Sequence, residues 1–550
     1  MIWIFLGSIV VFGIGYFIYA SYLSKVVGID RNNPVPSVER RDGVDYVPTN
    51  RFILFGHHFA SIAGAGPILG PLIAISMYGW GPVLLWVLLG GVFFGAVHDF
   101  LSLVVSVKNQ GRSIFDVSKE MISKFASLFM LIFVFFALII VISVFSAYTA
   151  VTFVFEPKIV LPTFSILVTA LLLSLLIYRL KWRIVFSTFI GLVLVLGSVF
   201  VSFNYNIGIV LPFDAKTSTV VWIFILLAYS FLASVLPVNV LLQPRDYVNS
   251  YILFAGMLFG VVGILTFGIF GNPDIKIPFF QVSDVARDPA TGLLEPLWPI
   301  LFITVACGAI SGFHSLVASG TTSKQLANEK DAKFVGYGGM VAESFLSLIV
   351  IISIIFFLPF DELVSFVKDG KAIPAFGKAF GSLSGSILGG WGLAFAVLMI
   401  NGFMLTTLDT ATRISRFLFE EIYHTVVKRS ISKYISTFII VLASGGLALS
   451  GAYVAIWKLF GTANQLVAAL TLVVLSVYLL KRGKSSIFTL VPAIFMILTT
   501  LGALAFYFYK YAFVSFNLSL LVVDTVLILV AVVAYTGIAI SLIRGKVSRK

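Results

Sequence analysis

Apolar residues run along this chain in long unbroken stretches separated by short polar segments. A helix needs about 20 mostly apolar residues to cross a bilayer. Read in that window, the sequence predicts fifteen spans, at roughly 2–23, 52–79, 82–106, 125–151, 160–178, 184–203, 219–240, 250–271, 298–320, 334–359, 389–410, 434–456, 463–480, 486–509 and 518–543. We number them spans 1 to 15. Stretches such as Leu128 to Val144 do not alternate apolar with polar. An outer-membrane barrel, which needs alternating strands of about ten residues, is therefore rejected. Two amphipathic stretches, Ser113–Lys124 and Ala411–Lys428, are expected to lie in the membrane interface. The segment 361–389 mixes Gly, Ser and apolar residues and is a candidate re-entrant piece.

Three spans break the apolar pattern. Span 2 reads Phe55-Gly-His57-His58-Phe-Ala-Ser61-Ile-Ala-Gly64-Ala65-Gly66-Pro67-Ile-Leu-Gly70-Pro71, with three glycines and two prolines inside eight residues. Proline removes a backbone donor, and each Gly costs about 1 kcal/mol against Ala in a helix. The helix should break around Gly64–Gly66, with Pro67 and Pro71 near the start of a second half-helix. Exposed carbonyls and a positive half-helix N-terminus would then form an ion and carboxylate site. Span 7 carries Ser230, Ser234, Pro237 and Asn239, read as a second interruption. Spans 2 and 7 lie five apart and run in opposite directions, the signature of an inverted repeat. That pairing predicts an extra N-terminal helix at 1–24, a first repeat at 52–205 (spans 2–6) and a second at 219–410 (spans 7–11). An interfacial helix and four accessory spans would fill 411–550. Span 9 holds Cys307, Gly308, Ser311, His314, Ser315, Ser319 and Thr322, a hydroxyl run suited to a desolvated alkali cation or to close helix packing.

Composition and charge sharpen the class. Of 550 residues, 59% are hydrophobic and 11% charged, and the mean hydropathy is +1.07. Soluble chains carry roughly 25% charged residues. With the N-terminus outside and the spans alternating, the inner loops hold 28 of the 37 Lys and Arg and the outer loops 9. That asymmetry fits the positive-inside rule, puts the C-terminus in the cytoplasm, and accounts for the net charge of +13 without nucleic acid. Span 1 has no basic n-region and reads as a retained helix rather than a signal peptide. One cysteine excludes a disulfide framework and a thiolate zinc cluster.

Ionisable groups inside spans are few: His57 and His58, His98 and Asp99, His314, Glu343, Asp409 and Asp524. The first six gather in the inner third of the bilayer, where no Lys or Arg is expected to pair with Asp99 or Glu343. Such groups mark a proton or ion pathway, or a structural His–Asp pair.

The segments His58-Phe-Ala-Ser-Ile-Ala-Gly-Ala-Gly-Pro and Gly95-Ala-Val-His98-Asp99-Phe resemble the carbon starvation protein A (CstA) family. So do Gly79-Trp-Gly-Pro, Ala306-Cys-Gly-Ala-Ile-Ser-Gly-Phe-His314, Gln243-Pro-Arg-Asp246, Leu408-Asp-Thr-Ala-Thr-Arg413 and Leu459-Phe-Gly-Thr-Ala-Asn-Gln465. The resemblance covers roughly residues 40–480. It implies an inner-membrane importer of short peptides or pyruvate used in carbon starvation, with the five-plus-five inverted repeat of amino acid–polyamine–organocation transporters.

The expectation is an all-α polytopic protein working as a secondary active importer. Its substrate residues would be Ser61, Gly64, Ala65, Gly66, Ser230, Ser234 and Asn239. Its ion-coupling residues would be His57, His58, His98, Asp99, Ser311, His314, Ser315, Ser319, Thr322 and Glu343. The coupling ion is a proton, because His titrates near neutral pH, or alternatively sodium. No cofactor, resident metal or nucleic-acid partner is expected; the surroundings are lipid. The pattern GxxxxGK[ST] is absent, which argues against direct ATP use, and the absence of HExxH weakens an intramembrane metalloenzyme. A channel or sensor is disfavoured by the lack of a soluble output domain.

Overall fold

The computed structural model describes the chain except residues 122–123, 272, 289–290, 451–452 and 548–550, and describes side chains outside 120–126, 451–459, 519 and 537–550. Among the described residues there is no β-strand, and twelve helices are long and apolar enough to cross a membrane. Two shorter apolar helices, Lys433–Leu449 and Leu520–Thr536, fall in spans 12 and 15, and span 9 is divided in two. Residues 451–452, in predicted span 12, and 122–123, in the first predicted interfacial stretch, lie outside the described residues.

Burial separates centre from periphery. In spans 2 and 13 the apolar window is 89% and 94% buried, whereas in spans 1 and 6 it is 22% and 28% buried. Spans 1 and 6 present Trp3, Phe17, Val185 and Phe189 outward, as lipid contact requires. The second half of span 2 packs on span 10, its first half on span 8, and span 11 on span 4.

The structure corrects four boundaries. Span 8 begins at Leu242, not near 250, and takes Gln243–Asp246 into its first turn, where Pro244 lacks only a donor that the helix would not use. Span 11 is one helix, Gly392–Val427, so Ala411–Lys428 is its continuation rather than a separate interfacial helix, and it stays buried through Leu418. Segment 361–389 forms short helices, Phe360–Lys368 and Ala372–Leu383, the second packed on spans 10 and 11. Span 7 runs unbroken as Ala215–Val235, and Pro237 follows its end. Among the described residues the discontinuous helices are spans 2 and 9, whereas span 7, paired with span 2 in the repeat partition, is continuous.

Candidate functional site

Span 2 consists of Arg51–Ile62 and Gly66–Tyr78, parted where Ala63 turns out of the helix at φ −74°, ψ 84°. Pro67 lies in the first turn of the second half, as its missing donor permits, and Pro71 follows inside it. Span 9 consists of Leu297–Thr304 and Gly312–Gly320, with an unwound stretch from Val305 to Ser311. Its signal in the sequence was Gly308 and Gly312, with no proline between Val305 and Gly320. The two breaks touch: a methyl group added at Gly66 would lie 2.6 Å from Cys307 Cβ.

Unwound backbone survives in a membrane only where other groups satisfy it. Span 10 does much of this. Ser347 Oγ donates to the Pro67 carbonyl (2.9 Å) and Ser344 Oγ to the Gly308 carbonyl (3.0 Å). Trp86 Nε1 donates to the Val305 carbonyl (3.0 Å), and Asn464 Oδ1 accepts from the Phe313 amide (2.9 Å).

Below the crossing lies a chain of buried titratable groups. Asp99 bridges two histidines, with Oδ1 2.8 Å from His98 Nδ1 and Oδ2 2.8 Å from His314 Nδ1. His314 Nε2 faces Glu343 Oε2 at 3.2 Å, and all four side chains are fully buried. That last approach is not aligned as a hydrogen bond, so both Glu343 oxygens and His314 Nε2 lack partners. Sγ of Cys307 completes a group with His314 and Glu343 in which the ligand-type atoms lie within 4.8 Å of one another. His58 stands apart, paired through Nδ1 with Thr322 Oγ1 at 2.9 Å.

A cavity of about 760 Å³ descends to this crossing. Gly66, Gly70, Ala306 and Cys307 line its deep end, and Asp284, Arg287, Asp288, Glu295 and Lys368 line its mouth. Those mouth residues belong to the connections poor in Lys and Arg. At the basic end, Asp45 binds Arg413 Nη1 at 2.6 Å and Arg416 Nη2 at 3.4 Å. Burial alone would raise the Asp45 carboxyl, but Arg413, Arg416 and Lys324 outweigh it and hold it below the usual carboxylate value.

Among the described residues no Lys or Arg pairs with Asp99 or Glu343, but a basic residue does reach Asp409. Arg245 is 1% exposed inside span 8 and binds Asp246, Asp409 (Nη1 to Oδ2, 2.6 Å) and the Tyr229 hydroxyl (2.7 Å). His57 belongs here, with Nδ1 2.6 Å from Asp246 Oδ2 and Nε2 3.3 Å from Gln325. Ser61 Oγ lies 3.4 Å from the same Asp246 oxygen and 3.2 Å from Thr410. Asp246 and Arg245 escaped the sequence reading because the polar run around Pro244 looked like a loop. Removing one partner of a buried ion pair typically costs roughly 3–5 kcal/mol. Arg245→Ala should therefore lower the unfolding temperature of the detergent-purified protein sharply, and Arg245→Lys should rescue it poorly because a lysine lacks the forked donor set. An unchanged unfolding temperature in Arg245→Ala would contradict this account of the network.

The remaining candidates separate. Ser230 Oγ donates to Leu227 O, Ser234 pairs with Thr437 (3.3 Å), and Asn239 sits in the connection after span 7, its carbonyl accepting from Ser174. None of the three lines the cavity. Ser311 pairs with Asn464, Ser315 with Thr471, and Ser319 with the Ser315 carbonyl. The four span 9 hydroxyls thus hold four different partners rather than converging. Gly64 and Ala65 lie in the break itself, with Thr407 and Phe145 against Gly64.

Comparison with known proteins agrees with this architecture. The chain matches the family model described as carbon starvation protein CstA over residues 1–365 and 364–503. It is 31% identical over 571 residues to the peptide transporter CstA of Campylobacter jejuni, covering 91% of this chain and 79% of that one. The peptide transporter CstA of Escherichia coli K12 is 32% identical over 575 residues (91% and 80%), and the pyruvate/proton symporter BtsT of the same organism 30% over 600 residues (92% and 81%). Among solved structures, MhsT in complex with L-phenylalanine, a transporter of the LeuT fold, superposes with a TM-score of 0.50 at 11% identity, covering 88% of this chain and 99% of that one. The chain is thus a multi-pass membrane transporter rather than an enzyme, and it belongs to the carbon starvation protein CstA family.

Proposed function

We propose that this transporter imports short peptides, pyruvate or both by proton symport, through alternating access across the cytoplasmic membrane. The observation that carries the reading is the cavity: it runs from its mouth, at the charged connection residues Asp284, Arg287, Asp288, Glu295 and Lys368, to the crossed breaks of spans 2 and 9, next to the Asp99–His314–Glu343 chain. Its volume lies inside the range of about 300–1,000 Å³ usual for small-molecule sites. By the positive-inside rule that opening faces outward, with the N-terminus outside and the C-terminus in the cytoplasm. The Asp45–Arg413–Arg416 cluster then closes the cytoplasmic end, and rocking it open is the other half of the cycle.

A substrate carboxylate would meet Arg287 and Lys368 at the mouth and the Gly66 half-helix N-terminus at depth. A peptide ammonium would find Asp284 in the same wall. Peptide and pyruvate both appear in the names of relatives, which supports this substrate class. A proton is favoured over sodium because the span 9 hydroxyls are spent on separate partners, while titratable groups converge. The test is uptake of labelled pyruvate and a labelled dipeptide into proteoliposomes under imposed proton or sodium gradients. Accumulation driven by a proton gradient alone is the expected result. Accumulation driven only by sodium would overturn the coupling, and failure of both substrates to compete for uptake would overturn the substrate class.

A further inference from the structure

We propose that Cys307, His314 and Glu343 form a binding site for a zinc-class divalent cation at the floor of the cavity. The three side chains come from the unwound stretch of span 9, the half-helix that follows it, and span 10. Thiolate, imidazole and carboxylate are the donor types such cations take.

Orientation as well as proximity favours a bound cation. Asp99 accepts the Nδ1–H of His314 at 2.8 Å, which leaves Nε2 with a free lone pair. A carboxylate holding the far nitrogen is what a metal-binding histidine usually has. That Nε2 is fully buried and makes no well-formed hydrogen bond, although the Ile62 carbonyl lies near the ring, and both oxygens of Glu343, which faces it at 3.2 Å, are likewise unpartnered. Ligand atoms around tetrahedral zinc lie roughly 3.3–3.6 Å apart, given bond lengths of about 2.0–2.3 Å. The His–Glu edge is already at that spacing. The thiol, within 4.8 Å of both, needs a small side-chain rotation to close the third edge.

Charge favours the same occupant. A thiolate and a carboxylate offset the two charges of the dication, and the neutral imidazole adds none, which suits a buried site below the cavity. As the metal–sulfur bond forms, the thiol proton leaves to the solvent of the cavity. Cys307 lines that cavity, so an incoming ion reaches it first, with His314 and Glu343 behind it. A cation seated there joins the two breaks and bars deeper entry of substrate. Only this last consequence rests on the transport reading above; binding itself does not.

Cd2+ is the direct probe, because the chain has one cysteine and any cadmium–thiolate charge-transfer absorption reports Cys307. The detergent-purified full chain should show this band saturating at one Cd2+ per chain and reversed by Zn2+. Cys307→Ser should lose it. His314→Gln and Glu343→Gln should each weaken Cd2+ binding, and Asp99→Asn should weaken it by roughly 10–100-fold through loss of the orienting carboxylate. A band whose affinity ignores all three changes belongs to a solitary thiol and overturns the proposal, as does no band at all. Zinc-edge X-ray absorption on the unaltered protein gives an answer free of variant folding: a shell with one sulfur and a histidine is expected, and a shell of oxygen alone overturns it.

Discussion

Glu343→Gln should abolish net uptake driven by a proton gradient while preserving exchange of internal for external substrate. The side chain is fully buried; His314 faces it at 3.2 Å, Asp99 lies beyond His314, and no Lys or Arg pairs with it among the described residues. Gain or loss of one proton therefore changes the net charge at the floor of the cavity with little to offset it. Glutamine keeps the volume and imitates the protonated form, but it has no proton to release. Gradient-driven uptake should fall by at least about 100-fold, the lower range for loss of a positioned proton carrier. Glu343→Ala should do worse, since the void adds about 1–3 kcal/mol of instability. Gradient-driven uptake and counterflow on the same liposomes separate the two effects. Normal driven uptake by Glu343→Gln would move the coupling to the His98–Asp99 pair.

Gly66 offers the second large effect. Its hydrogen faces Cys307, and a Cβ there would sit 2.6 Å from Cys307 Cβ and collide with the sulfur. Overpacking of this kind costs about 1–3 kcal/mol, and here it separates the two breaks that end the cavity. Gly66→Leu should abolish uptake with membrane expression largely intact, and Gly66→Ala should reduce uptake at least tenfold, roughly the effect of 1.4 kcal/mol on a rate. Because the clash is with one residue, Cys307→Gly should restore part of the activity of Gly66→Ala. Full activity in Gly66→Leu would show that the crossing is not where substrate passes.

What was legible in the sequence was local or additive. Twelve of the long apolar helices follow from length and hydropathy, because each residue's transfer into lipid is decided largely by its own chemistry. The break in span 2 was legible because its cause lies within eight residues: missing donors and low helix propensity act on their own backbone. Pro237 and Pro244 show the limit. The same residue that opens span 2 only ends span 7 and starts span 8, and which of these happens depends on where the bundle places the membrane-crossing segment. Partnership was wholly tertiary. His57 and His58 are adjacent, yet one binds Asp246, 189 positions away, and the other Thr322, 264 away. Arg413 meets Asp45 across 368 positions, and Arg245, read as a loop residue, lies fully inside. Burying a charge costs far more than any local preference, so its site is set by where the fold can supply an opposite charge and hydrogen bonds. That supply comes from helices distant in sequence, which is why the inventory of ionisable groups could be read from the chain but only their assembly showed which of them meet.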